Sequence, residues 1–358
     1  MMTIYNFGAG PAVLPREVLL EAQAELLDFR GCGMSIMEIS HRGSLFQNLY
    51  EEIESDFRML LSIPSTYRVL FMQGGATAQF AIVPINLLRG KRQADYVVTG
   101  EWGQKAVSEA ARFCTVRYAA DMQPSGFDDV PDVIETDPSS AYLHYTSNET
   151  IRGIEFKAIP EAQGLPLVCD MSSNILSRPV DITRFGLVYA GAQKNIGPSG
   201  LTLVVVREDL MGEVLPQQSR LFDYRQVASQ KSMLNTPPTF AIYMAGLVFR
   251  WLKRQGGLVA MQCLNERKAK KLYDYIDSSS LYVCRVKARA RSCMNVAFYL
   301  RDELLNSRFL SDAEKAGLMQ LRGHKLAGGM RASIYNAMPE EGVDALVAFM
   351  TEFERLNG

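Results

Sequence analysis

Short apolar runs alternate with helical patterns through the first two thirds of the chain. Tyr67-Arg-Val-Leu-Phe-Met72 is a predicted strand, followed by Gln73-Gly-Gly-Ala-Thr-Ala78 and a helical stretch from Gln79 to Leu88. Asp95-Tyr-Val-Val-Thr-Gly100 is another, followed by Glu101-Trp102 and a helix through Phe113. Ser140-Ala-Tyr-Leu-His-Tyr145 and Leu165-Pro-Leu-Val-Cys169 are two more. Alternation of this kind predicts an α/β domain with a mostly parallel sheet. Two further strands, Phe185 to Ala190 and Leu201 to Val206, are separated only by Gln193-Lys-Asn-Ile-Gly-Pro-Ser-Gly200. That connection is too short for a parallel crossover, so this pair is expected to run antiparallel.

The helix Phe240 to Arg254 is expected to end at Gly256-Gly257, a C-cap signal. Beyond it the texture changes. A helix near Asn265 to Ile276 precedes strand-like runs at Tyr282 to Lys287, Met294 to Tyr299 and Met330 to Ile334. In the closing segment Val343, Leu346, Val347, Met350 and Phe353 have helical spacing, with Pro339 at a first-turn position. This part reads as a smaller α+β domain. No internal repeat or low-complexity segment appears.

A chain of 358 residues is long for one core, which also points to a large domain plus a smaller one. Hydrophobic content of 47% and charged content of 22% are those of a soluble globular protein. A formal net charge of −1 with three histidines gives no basic field for nucleic acid. The six cysteines (Cys32, Cys114, Cys169, Cys263, Cys284, Cys293) show no CxxC pair and no zinc-ligand spacing, so no metal site is expected and reduced thiols are. The N-terminus lacks the charged and apolar regions of a signal peptide, and the longest apolar run, Phe240 to Phe249, is too short to span a bilayer. The expectation is a cytoplasmic protein that engages neither membrane nor nucleic acid.

Candidate chemistry gathers where predicted strands end, which is where open α/β sheets bind ligands. Lys194 falls in Ala190-Gly-Ala-Gln-Lys-Asn195, between two apolar runs. Burying an unpaired ammonium is costly, so this is either a solvated loop lysine or an amine that forms a Schiff base. Gly74-Gly75-Ala76-Thr77 is either a tight turn or a cup whose backbone amides close on a phosphate. It matches neither GxGxxG nor a Walker A loop. Trp102, one of two tryptophans, is a core aromatic or a plate for a flat heterocycle. Asp170 is an N-cap or the partner of a protonated pyridine nitrogen. Thr150 is a turn residue or a hydroxyl ligand. Together a lysine, an acid, an aromatic plate and a phosphate cup are the parts of a pyridoxal-phosphate site, the acid keeping the ring nitrogen protonated so that the ring accepts electrons.

Several segments carry a closer likeness. They are Asn6-Phe-Gly-Ala-Gly-Pro-Ala12, Ser40-His-Arg-Gly43, Gly100-Glu-Trp102, Asn148-Glu-Thr150, Asp170-Met-Ser-Ser173, Gly191-Ala-Gln-Lys-Asn-Ile-Gly-Pro198, Asn235-Thr-Pro-Pro-Thr239 and Gly328-Gly-Met-Arg-Ala-Ser-Ile-Tyr-Asn-Ala337. Over nearly its full length the chain resembles the phosphoserine aminotransferases, a class-V family of fold-type-I pyridoxal-phosphate enzymes. The resemblance implies an α/β fold with a mostly parallel sheet of about seven strands, one of them antiparallel. It also implies an N-terminal arm (1–15) packing near the active site, a large cofactor-binding domain (16–258) and a small C-terminal domain (259–358).

By the same resemblance Lys194 would hold pyridoxal 5′-phosphate, Asp170 would pair with its ring nitrogen and Trp102 would stack on the ring. Thr150 and Gln193 would hydrogen-bond near its substituents, and Ala76 and Thr77 would bind its phosphate. Asn235 and Thr236 would reach that phosphate from the other subunit of a homodimer with sites at the interface. Arg42 and Arg331 would hold substrate carboxylates, with His41, His324 and Lys325 adding to an anionic pocket. Two separated arginines suit a substrate anionic at both ends, because the planar guanidinium binds oxyanions bidentately. The implied reaction is reversible amino transfer between L-glutamate and 3-phosphohydroxypyruvate, giving 2-oxoglutarate and O-phospho-L-serine in serine biosynthesis. Use of a phosphohydroxythreonine-type substrate in vitamin B6 synthesis stays open. So do another small-substrate transaminase of the alanine–glyoxylate type and a non-enzymatic α/β binding protein. Two positions depart from many relatives: Thr77 and Lys325 stand where arginine is frequent, which bears on how the substrate's phosphate is held.

Overall fold

A computed structural model describes residues 3–358. The chain begins with strand β1 (Tyr5–Asn6) and helices α1 (Arg16–Glu25) and α2 (Ser44–Leu61). It then alternates: β2 (Tyr67–Met72), α3 (Gly75–Leu87), β3 (Gln93–Val98), α4 (Glu101–Ala110), β4 (Thr115–Asp121) and β5 (Leu143–Thr146). A two-residue hairpin, β6 (Asn148–Glu149) with β7 (Ile154–Glu155), precedes β8 (Leu167–Asp170), β9 (Leu187–Gly191) and β10 (Thr202–Arg207). Helices α5 (Tyr224–Ser229), α6 (Thr239–Arg254) and α7 (Gly257–Ser278) follow. The chain closes with β11 (Tyr282–Val283), β12 (Asn295–Leu300), α8 (Asn306–Lys315), β13 (Leu318–Met319), β14 (Met330–Ser333) and α9 (Glu340–Asn357).

Seven strands form the main sheet in the order β2-β10-β9-β8-β5-β3-β4. Five neighbouring strands from β9 to β4 are parallel, and β10 runs antiparallel to both β9 and β2. The short β9–β10 connection therefore does reverse the chain, as its length requires. Side chains of the sheet alternate between two cores. Val69, Phe71, Val188, Ala190, Leu203 and Val205 meet the helices α1, α2 and α6 on one face. Leu70, Met72, Leu187, Tyr189, Val204 and Val206 meet α3 and α4 on the other. A sheet covered on both faces explains why its strands are near-continuous apolar runs in the sequence.

The C-terminal part has its own three-stranded sheet, β11-β12-β14, and its own core around Phe298, Phe309, Leu346 and Phe353. Strand β1 pairs in parallel with β13, so Tyr5 and Asn6 lie against this part.

Several elements differ from the sequence expectation. Helix α2 lies where no element is predicted, although Phe46, Leu49, Tyr50, Ile53, Phe57 and Leu61 are buried at helical spacing. Strand β4 is also unpredicted; it is an edge strand paired only with β3, half solvated, and its sequence Thr-Val-Arg-Tyr-Ala-Ala-Asp carries a weak apolar signal. The strand expected over Tyr282 to Lys287 stops at Val283, because Lys287 N–H turns away to the Asp128 carbonyl. Gly256 does not simply end α6: with φ 92° it starts α7 at Gly257, so the two helices join almost without a linker. Among the described residues no helix is long and apolar enough to cross a membrane.

Candidate active site

The turn after β9 carries Lys194 into the protein. Its own N–H donates to the Ala192 carbonyl at 2.8 Å, as does that of Gly197, which curls the backbone and aims the side chain along the carboxyl ends of the strands. The amine donates to Thr150 Oγ1 at 2.6 Å. Burial pulls its pKa down to about 8, with Arg331 acting in the same direction and Asp170 and Glu149 opposing.

Asp170 ends the neighbouring strand β8, and its Oδ1 accepts the Ser172 N–H at 2.9 Å. It is thus the capping acid of its turn and, at the same time, a buried carboxylate in the Lys194 cleft. Burial raises its pKa, while Ser172 and the Lys194 charge pull it back. Asp170 spends one oxygen on a backbone amide and Lys194 its amine on a hydroxyl, so each faces the cleft without pairing to the other.

Trp102 is the second residue of α4, past the end of β3. The Lys194 amine lies 5.7 Å from its ring centroid, and Lys105, one turn along the helix, lies 4.1 Å from it. The indole Nε1 is buried without a partner. Helix α3 begins at Gly75, four residues before the predicted start at Gln79. Gly74, with φ 97°, makes the sharp turn from β2, and the first helical bond runs from Ala78 N–H to Gly74 O. Ala76 and Thr77 are therefore in the first turn, where backbone N–H groups have no intrahelical acceptor.

One cleft brings together Ala76, Thr77, Trp102, Thr150, Asp170, Gln193 and Lys194, with Asn148, Ser172 and Ser173. Arg331, on β14, approaches from the C-terminal sheet: its Nη1 reaches the Thr150 carbonyl at 3.5 Å and its Nε is buried without a partner. His324 lies beside it; burial lowers its pKa, and the nearby charges of Arg331, Lys105 and Lys325 lower it further. Seven expected residues do not line this cleft: Arg331, His324 and Lys325 just described, and His41, Arg42, Asn235 and Thr236. Arg42 is exposed in the loop before α2, where the neighbouring His41 carbonyl accepts from Gln47. Asn235 lines a separate cavity with Phe71, Gly74, Leu221 and Phe222, and the Thr236 carbonyl accepts from Gln73.

The donor set suits pyridoxal phosphate. A nucleophilic amine, a buried carboxylate for a ring nitrogen, an indole with an unused N–H and a helix N-terminus converge on one cleft, and Thr146 Oγ1 and Asn148 Oδ1 are buried there without partners. Residue-level reading of the sequence gave no role to Glu149, Lys105 or Ser172. Only the i, i+3 spacing of Trp102 and Lys105 offered a signal for Lys105. Nothing local marks Glu149 as buried.

The chain matches the aminotransferase class-V family over residues 4–346. It is 60% identical over 360 residues to a phosphoserine aminotransferase from Laribacter hongkongensis, covering 100% of both chains. The solved phosphoserine aminotransferase of Bacillus circulans subsp. alkalophilus superposes with a TM-score of 0.97 at 47% identity, covering 99% of each chain. A phosphoserine aminotransferase from Trichomonas vaginalis, solved with pyridoxal phosphate bound, gives 0.94 at 40% identity, covering 98% of this chain and 100% of that one. A lysine at the strand end, an acid one strand away and a likeness that spans whole chains agree: this chain belongs to the aminotransferase class-V family, in its phosphoserine aminotransferase branch.

Proposed function

We propose that the chain is a pyridoxal-phosphate-dependent phosphoserine aminotransferase, moving an amino group reversibly between L-glutamate and 3-phosphohydroxypyruvate. The observation that carries this is the buried Lys194 amine, held by Thr150 in the cleft shared with Asp170 and Trp102, in a chain so close to phosphoserine aminotransferases throughout. When bound, the cofactor supplies an aldehyde that captures amines and a ring that takes up the electrons left at a deprotonated Cα.

The chain's own groups do the rest. The Lys194 amine would hold the cofactor, and as a free amine it would take and return the proton at the substrate Cα, as base and then as acid. Asp170 holds a proton on the ring nitrogen by its negative charge. Trp102 fixes the plane of the ring, Thr150 and Gln193 orient its substituents, and the free amides of Ala76 and Thr77 bind its phosphate at the α3 N-terminus. Arg331 stands over the Thr150 edge of the cleft, placed to clamp a substrate carboxylate. His324 and Lys325 extend that positive edge.

Arg42, His41, Asn235 and Thr236 complete the site in a second copy of the chain. None of the four lines the chain's own Lys194 cleft, which supports a homodimer, as does the half-exposed pair Leu221 and Phe222 beside Asn235. The division into an arm (1–15), a large domain (16–258) and a small domain (259–358) accords with the separate sheets and cores.

The test is direct. The purified protein should bind pyridoxal phosphate, convert glutamate and 3-phosphohydroxypyruvate with ping-pong kinetics, and sediment as a dimer. A chain that preferred glyoxylate, or that took up no pyridoxal phosphate, would overturn the assignment.

A further inference from the structure

Helix α4 carries Trp102 in its first turn, yet its N-cap residue is Gly100, which has no side chain to cap it. A cap normally supplies an oxygen to the N–H groups at the second and third helical positions. Those positions are Trp102 and Gly103. Both are capped from another part of the chain: Glu149 Oε2 accepts from Trp102 N–H at 3.1 Å and Oε1 from Gly103 N–H at 2.8 Å. The glycine at 100 is what admits the acid, since a Cβ there would stand 2.5 Å from Glu149 Cδ.

We propose that Glu149 is a positioning residue of the cofactor site, whose buried carboxylate registers the Trp102 indole against the Lys194 amine. A serine or aspartate at 100 would cap the helix more cheaply, because it would not bury an acid. Glu149 is fully buried, with the charges of Glu101 and Asp170 nearby. A local cap, however, fixes a helix only to its own strand. Glu149 fixes it to the residue that holds Lys194, for the next residue is Thr150. The preceding residue, Asn148, donates to Ser173 and to Asn295, each at 2.8 Å, tying the tripeptide to the β8 turn and the C-terminal sheet. Arg152, two residues beyond Thr150, adds an ion pair to Glu101 at 2.8 Å. One short segment thus sets the plate, the amine and the neighbouring sheet in a single register.

The inference rests on the cleft being a pyridoxal-phosphate site, and the experiment separates the two. The full-length protein with Trp251→Phe leaves Trp102 as the only indole, so its fluorescence reports the plate alone. Pyridoxal phosphate is titrated into this protein and into its Glu149→Gln variant, which keeps the shape but sets an amide N–H₂ against a backbone N–H. The variant is expected to bind pyridoxal phosphate about tenfold more weakly, the scale of leaving one buried backbone N–H without an acceptor, with less quenching of Trp102 at saturation. In a Trp102→Ala background, read by the visible absorption of the bound cofactor, Glu149→Gln should change affinity less than about twofold, because the residue acts through the indole. Glu149→Asp, which keeps the carboxyl group but falls short of α4, carries the same comparison if Glu149→Gln does not fold. Unchanged affinity and quenching, or a loss equally large without Trp102, overturns the inference and leaves the cofactor site standing. Failure of the unaltered protein to bind pyridoxal phosphate overturns both.

Discussion

Lys194 Nζ donates to Thr150 Oγ1 across 2.6 Å, so the amine at the end of β9 is held by a hydroxyl and not by a carboxylate. The difference is chemical. A carboxylate partner would favour the ammonium and keep the amine from acting as a nucleophile. A hydroxyl orients it, and burial then brings its pKa down to about 8 from 10.5.

The rate at which the cofactor-free protein takes up pyridoxal phosphate should therefore rise with pH and level off above about 8, where the amine is neutral. Thr150→Val removes an acceptor that favours the charged form, so the profile should move to lower pH. Stability gives an independent reading. Between about 8 and 10.5 the unfolded chain binds the proton that folded Lys194 has shed, so stability from this group increases as pH rises through that window. Denaturant unfolding of Lys194→Met should lack that slope, and its transamination rate should be lost.

Asp170→Asn keeps an oxygen for the Ser172 amide but removes the charge that stabilises a protonated ring nitrogen. Folding should change little, while turnover should fall by roughly 10²–10³-fold, the size seen when one electrostatic partner of a transition state is lost. Single-turnover rates with glutamate would check it, and a variant with near-normal rates would remove Asp170 from the mechanism.

Arg331→Lys should raise KM for glutamate about tenfold or more with a smaller change in kcat, because a point charge replaces a two-pronged clamp. The buried, unpartnered Nε is the reason to expect it: that group has no protein partner to lose. Steady-state kinetics with both amino donor and acceptor measures the split.

Lys268 makes a structural prediction. Its buried amine donates to the carbonyls of Ile334, Tyr335 and Met338 at 3.0, 2.8 and 3.1 Å, clasping the loop that follows the Arg331 strand. Lys268→Met leaves the Ile334 and Met338 carbonyls without this donor, while the Tyr335 carbonyl keeps the Met338 N–H, and should cost roughly 2 kcal/mol or more in denaturant unfolding. KM for glutamate should also rise, since Arg331 is anchored beside that loop.

Much of the large sheet was legible because both its faces are covered. Strands such as Leu201–Val206 must then be apolar throughout, and the eight residues from Gln193 to Gly200 left only an antiparallel return. Edge strand β4 was not legible for the converse reason: a half-solvated strand has no need of an apolar run. Helix α2 was legible and went unread, its core positions lying at plain helical spacing. In the cleft, Lys194, Asp170, Trp102 and the Gly74-Gly75 turn announced themselves by lying just past strand ends, where the topology of a parallel sheet gathers side chains.

The amino-acid sequence by itself determined the alternation of strands and helices, the reversal at β10 and the residue types available at the strand ends, because these follow from local periodicity and chain length. Only the tertiary structure decided which groups meet. That Lys194 rests on a hydroxyl 44 positions away, that Arg331 arrives from another sheet and that Glu149 caps a helix it does not belong to are contacts between distant segments. Burial sets their pKa values and costs, and no periodicity in the chain encodes it.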